Sequence, residues 1–115
     1  MDDRTWLIVA QLRAWYDTAT GDLSPEAIVA HRVLKLAEEV GEASEALVGV
    51  AGTNPRKGQT HTMADVAKEA SDIVITGLML LDSITGDAKA AFAGHLETLW
   101  QRAQEAGAPP LPPEP

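Results

Sequence analysis

A chain of 115 residues with a 45% apolar fraction and only 4% aromatics suits one helical domain with a single modest core. Its formal charge of -8, from 9 Lys and Arg against 17 Asp and Glu, argues against wrapping long nucleic acid, because that affinity comes from cations neutralising phosphates. The absence of cysteine excludes disulfides, thiol nucleophiles and zinc-thiolate sites.

From the N-terminus, Asp3 to Thr18 places Ile8, Leu12 and Trp15 on one helical face, and Gly21-Asp22 closes that helix. Trp6 lies opposite Ile8 and Trp15 and is expected to pack against another subunit. Ser24-Pro25-Glu26 is a helix start, with Ser as cap, Pro at the first position and an acid near the positive dipole end. A long helix then runs to about Val50, with Val33, Ala37, Val40, Ser44 and Leu47 as its expected buried stripe. Residues 51–61 contain two glycines, a proline and the adjacent cations Arg56 and Lys57, and read as a loop.

Thr62 with Asp65 forms the pattern of a capping box and opens a third helix, with the stripe Val66, Ala70, Ile73, Gly77, Leu80 and Ile84. Gly86-Asp87 interrupts the chain. A last helix carries Phe92, Leu96, Leu99 and Ala103, and the proline-rich end cannot continue it. The expected architecture is an all-α, four-helix up-and-down bundle over 1–107, with a flexible tail at 108–115. Such short helices bury limited area, so a homodimer or homotetramer is expected. No run approaches the roughly 20 apolar residues of a membrane span, and Met1-Asp2-Asp3-Arg4 lacks the basic start of a secretory signal. A cytoplasmic protein without membrane contact is the expectation.

The carboxylates carry the chemical signal. On the second helix Glu38 and Glu42 are i and i+4, and Glu39 lies on the adjoining shoulder. Lys35 can reach Glu38 or Glu39, so this face alone reads as easily as a solvated surface. On the third helix Glu69 borders the apolar stripe with Asp72 close by, and Lys68 points elsewhere. A carboxylate placed there needs a compensating cation, since burying an unpaired one costs several kcal/mol. A divalent ion shared between the two helices meets that need. Hard ions such as Mg²⁺ prefer carboxylate oxygens and also accept phosphate oxygens, so an acidic protein can hold a small polyphosphate. A di-iron bundle is disfavoured, because no histidine stands three residues after a glutamate.

Glu38-Glu39-Val40-Gly41-Glu42, followed after 26 intervening residues by Glu69-Ala70-Ser71-Asp72, resembles the EExxE and ExxD signature of the MazG-like, all-alpha nucleotide pyrophosphatase superfamily. The resemblance spans about Leu34 to Leu81. It implies a helical oligomer that uses Mg²⁺, or Mn²⁺ in its place, to hydrolyse nucleoside triphosphates to monophosphates and pyrophosphate. Carried over residue by residue, it implies Glu39, Glu42, Glu69 and Asp72 as metal ligands, with Glu38 and Glu39 as the catalytic pair acting on water. Many relatives carry an Asn and Lys/Arg cluster after the metal helices, and this chain has no equivalent between Leu81 and His95. Asn54, Arg56 and Lys57 lie between the two motifs instead and are the expected substrate-binding residues. The expected role is nucleotide-pool housecleaning. A dUTP-preferring enzyme and a noncatalytic helical interaction module are the alternatives.

Overall fold

In the computed structural model, which describes residues 1–115, four helices account for the ordered elements: α1 (Asp3–Asp17), α2 (Pro25–Ala51), α3 (Met63–Thr85) and α4 (Ala88–Glu105). There is no strand. Each helix begins where a side chain satisfies its free N–H groups. Asp2 Oδ1 accepts from Thr5 N at 2.9 Å, and Ser24 Oγ accepts from Ala27 N at 3.1 Å, with Pro25 in the first position. Asp65 Oδ2 accepts from Thr62 N at 2.8 Å, and Asp87 Oδ1 from Ala90 N at 3.2 Å. α2 and α3 end on Gly52 and Gly86, both in the left-handed conformation that glycine adopts without a Cβ penalty.

α2 and α3 pack antiparallel, with Gly49 beside Thr60 and Glu39 beside Glu69 and Asp72. α1 and α4 each pack on α3, which is therefore the common spine. The core is small. Val9 of α1 meets Leu78 and Met79 of α3, and Trp6 and Leu12 pack against them. Trp6 also lies 5.9 Å from the Phe92 ring, so this tryptophan is an intramolecular packing residue, contrary to the expectation from sequence. Trp15 is the one left outside, at 67% exposed.

Two other expected stripes also face outward. On α2 the buried or half-buried positions are Ala27, Ile28, Val29, Arg32, Lys35, Leu36, Glu39, Ala43, Ala46, Gly49 and Val50, whereas Val33, Ala37, Val40, Ser44 and Leu47 are all exposed. Periodicity identifies an apolar face but not the neighbour that covers it, and α2 has two such faces. Phe92, Leu96 and Leu99 of α4 are likewise exposed.

A chain of ion pairs supplements the core. Arg13 of α1 donates from Nε to Asp82 Oδ2 of α3 at 2.9 Å and from Nη1 to Asp17 Oδ2 at 2.9 Å. Arg32 of α2 donates to Asp17 Oδ1 at 2.5 Å, with its guanidinium 5.6 Å over the Tyr16 ring. The other oxygen of Asp82 accepts from Ala88 N at 3.3 Å, at the start of α4. The hydrogen bonds to Asp82 and then Asp17 hold the Arg13 guanidinium even more firmly protonated than usual.

The assembly is open. Only 9 of 115 residues are buried, and the radius of gyration is 17.9 Å against about 13 Å for a compact domain of this length. The accessible surface is 8278 Å², about 2,200 Å² more than the roughly 6,100 Å² typical of a folded 12.2 kDa monomer. Residues 108–115, which carry no helix or strand, contribute part of that excess. No helix is long and apolar enough to cross a membrane.

The α2–α3 loop is seated on Gly49. Its carbonyl accepts from Thr60 N at 3.0 Å, and a Cβ there would collide with the His61 ring and lie 2.6 Å from Thr60 Oγ1. Gly49→Ala is expected to lower stability by about 1–3 kcal/mol through overpacking. Gly94→Ala on exposed α4, where nothing lies within 4 Å, should raise it by about 0.5–1 kcal/mol through helix propensity. Urea denaturation of the two variants beside the parent measures both signs.

Candidate metal centre

Antiparallel pairing sets one carboxylate of α2 opposite two on α3. Glu69 and Asp72 are i and i+3, on one face, and Glu39 approaches both from α2. One carboxylate oxygen from each of the three lies within 4.8 Å of the others. Glu39 is only 7% exposed, and Glu69 Oε2 is buried without a hydrogen-bond partner.

Lys35 is the single cation in contact with these acids. Its Nζ lies 3.1 Å from Glu39 Oε1 and 3.4 Å from Glu38 Oε1, and the bond to Glu39 leads in raising the ammonium above its ordinary pKa. One ammonium cannot balance three converging carboxylates, and it does not touch the orphaned oxygen of Glu69. Burying an unpaired carboxylate oxygen costs several kcal/mol, which a cation recovers. The donors are all hard oxygens, and this spacing suits a hard divalent ion bound by oxygens at about 2.0–2.6 Å.

Glu42 stands at the edge of the cluster. The neighbouring Glu39 charge pushes its carboxyl above the ordinary range, with smaller contributions from desolvation, a hydrogen bond to Glu39, and the Glu69 and Glu38 charges. Like charges held close disfavour simultaneous ionisation, so Glu42 feels the same field as the triad. Glu38 lies outside it, beside Lys35, with its side chain 58% exposed.

The loop residues divide. Asn54 and Lys57 line a cleft of about 440 Å³ with Glu45, Gly49, Thr60 and His61, at the loop end of the α2–α3 groove. Asn54 Oδ1 accepts from Arg56 N at 3.0 Å and so shapes the turn. Arg56 is exposed and does not line the cleft, and neither Arg56 nor Lys57 forms an ion pair.

Sequence reasoning missed Asp82 and the Arg13–Asp17–Arg32 chain, although a signal was present. Asp82 closes the apolar run Leu78-Met79-Leu80-Leu81 at i+4 from Leu78, and an acid on a buried face requires a partner. Thr60 and His61, which fill the space over Gly49, could be found only in three dimensions.

The chain matches no known protein family, no curated protein and no solved structure.

If the triad holds a cation, Glu69→Gln relieves repulsion in the metal-free protein. The variant is then expected to melt no lower than the parent in EDTA and to gain less stability when Mg²⁺ is added. A loss of about 3 kcal/mol or more, equal in EDTA and Mg²⁺, would instead mark Glu69 as the partner of a fixed cation.

Proposed function

We propose that the chain is a Mg²⁺-dependent nucleoside triphosphate pyrophosphohydrolase, working as a homodimer or homotetramer in nucleotide-pool housecleaning. The observation that carries this reading is the buried, unpartnered Glu69 oxygen inside the Glu39–Glu69–Asp72 cluster. The EExxE and ExxD resemblance connects that cluster to triphosphate hydrolysis.

Glu39, Glu69 and Asp72 would hold Mg²⁺ or Mn²⁺, with Glu42 joining from the edge. The ion supplies neutralisation of phosphate charge and a lowered pKa for water. Glu38 is the residue to hold and deprotonate the attacking water, because it adjoins the cluster and keeps an exposed carboxylate. Glu39 shares that catalytic role through its contacts on both sides. Lys35, bonded to both, positions these two acids rather than the substrate. Attack at the α-phosphorus, in line with the departing pyrophosphate, forms the bond from water oxygen to phosphorus and breaks the α–β bridge.

Lys57 lines the cleft and Arg56 is its exposed neighbour in the same turn, and both are free to pair with the outer phosphates. Asn54 holds the turn that presents them and keeps its amide nitrogen for the substrate. The openness of the isolated chain supports self-association, since so small a core leaves 19 large hydrophobic residues exposed to water.

Purified protein with Mg²⁺ is expected to convert at least one nucleoside triphosphate to monophosphate plus pyrophosphate, followed by anion-exchange chromatography over a panel of canonical, deoxy and damaged nucleotides. Orthophosphate as the primary product would place attack at the wrong phosphorus, and no turnover across the panel would favour a noncatalytic interaction module. Arg56→Ala with Lys57→Ala should raise KM about 10-fold or more, as expected for loss of charge-assisted hydrogen bonds, while leaving Mg²⁺ binding by calorimetry unchanged. Unaltered kinetics would make the loop an exposed turn and nothing more.

A further inference from the structure

No other part of the chain covers the outer face of α2. Val33, Leu34, Val40, Leu47 and Val48 are 48% to 64% exposed there. Between and beside them stand Ala30, Ala37, Gly41, Ser44 and Ala51, all exposed as well. At about 100° per residue, these positions fall in one arc about 140° wide, and no charged residue between Ala30 and Ala51 enters it. Glu38 and Glu45 border the arc on one side, while Glu39 points away from it toward α3.

The face is complementary to itself when reversed. Turning α2 end for end about the midpoint between Val40 and Gly41 brings Val33 level with Val48, Leu34 with Leu47 at the two edges of the arc, Ala37 with Ser44, and Ala30 with Ala51. Large residues match large ones at Val33–Val48 and Leu34–Leu47, and small match small at the outermost pair, Ala30–Ala51. Nearer the middle each pair includes a small residue, Val40 with Gly41 and Ala37 with Ser44, where two helices crossing at 8–10 Å come closest. A two-fold interface requires this property, because each residue i that contacts j must also be matched by j contacting i. An unrelated partner imposes no such symmetry on the sequence.

We propose that this face packs antiparallel against α2 of a second copy, with the two-fold axis passing between Val40 and Gly41. The inference rests on the self-association proposed above and is independent of the metal chemistry. The surface account agrees with it. The excess of about 2,200 Å² per chain, part of it in the 108–115 tail, is well above the roughly 800 Å² that each partner buries in a standard interface. A helix of 27 residues, about 40 Å long, offers one continuous seam for that burial.

The chain contains no cysteine, so single cysteines report the register without background. In a glutathione redox buffer, Val40→Cys is expected to form a disulfide-linked dimer. Val33→Cys alone is not, because antiparallel pairing separates the two copies of position 33 by about 22 Å along the axis, whereas a disulfide needs Cα atoms within about 7 Å. An equimolar mixture of Val33→Cys with Val48→Cys should cross-link, and the product should be the mixed dimer by mass spectrometry. Self-linking of Val33→Cys as readily as the mixture would overturn the antiparallel register. Failure of all three to link, with a dimeric or tetrameric mass for the parent by light scattering, would assign the interface to another surface. A monomeric parent at micromolar concentration would remove self-association altogether, and with it this interface, while leaving Mg²⁺-dependent turnover to be judged on its own assay.

Discussion

The antiparallel contact between α2 and α3 is the constraint on which the candidate site depends. It brings Glu39, thirty positions away in sequence from Glu69, into the same few ångströms as Glu69 and Asp72. The contact is set at one end by Gly49, where the returning loop lies so close that no side chain fits. A shift of α2 by one helical turn, about 5 Å, would move Glu39 out of reach of both partners. The capping box at Thr62 and Asp65 therefore bears on the geometry of the candidate site as well as on stability, because it fixes where α3 begins relative to that loop.

The same contact gives the site its electrostatic character. Three carboxylates converge, one of them almost fully buried, and Lys35 contacts only the α2 side. The contrast with Asp82 is instructive. Both Glu69 and Asp82 lie on α3 near its buried side, but Asp82 is answered on both oxygens, by Arg13 and by the first N–H of α4, whereas one oxygen of Glu69 is answered by nothing. A satisfied buried acid fastens helices together. An unsatisfied one among other acids asks for a cation.

α3 carries more of the fold than its length suggests, because α1, α2 and α4 all make their main packing contacts with it. With Val9, Leu78 and Met79 as the whole buried apolar cluster, packing holds α1 only lightly, and the Arg13–Asp17–Arg32–Asp82 chain supplies directional contacts that the core lacks. The apolar residues missing from that core are in water, on the outer faces of α2 and α4 and also at Leu7, Ile8 and Trp15 of α1 and Val74, Ile75 and Ile84 of α3. α2 is thus a two-sided helix, with small and acidic residues against α3 and a charge-free stripe on the other side.

Local chemistry decided what could be read from the chain alone. Four helices and their boundaries follow from Asp, Ser and Thr caps, a first-turn proline and terminal glycines, all of which act within a few residues. Glu69 and Asp72 were also legible, because a carboxylate on or beside an apolar stripe is costly wherever it occurs, whereas Glu39 was singled out by its place in the acidic run Glu38-Glu39-x-x-Glu42. Tertiary structure decided the rest. Periodicity selected Val33, Ala37, Val40, Ser44 and Leu47 as the buried face of α2, yet the chain buries Leu36, Ala43, Ala46 and Val50 instead. Both faces are apolar, and only the path of α3 determines which one it covers. Trp6 went to the core and Trp15 to the surface for the same reason. Lys57 came to line a cleft while its neighbour Arg56 did not, since the turn held by Asn54 sends adjacent side chains in different directions. Caps and helix periods are interactions between residues close in sequence, so the sequence determines them directly. Which face meets which neighbour depends on contacts between residues far apart in the chain, and those exist only once it has folded.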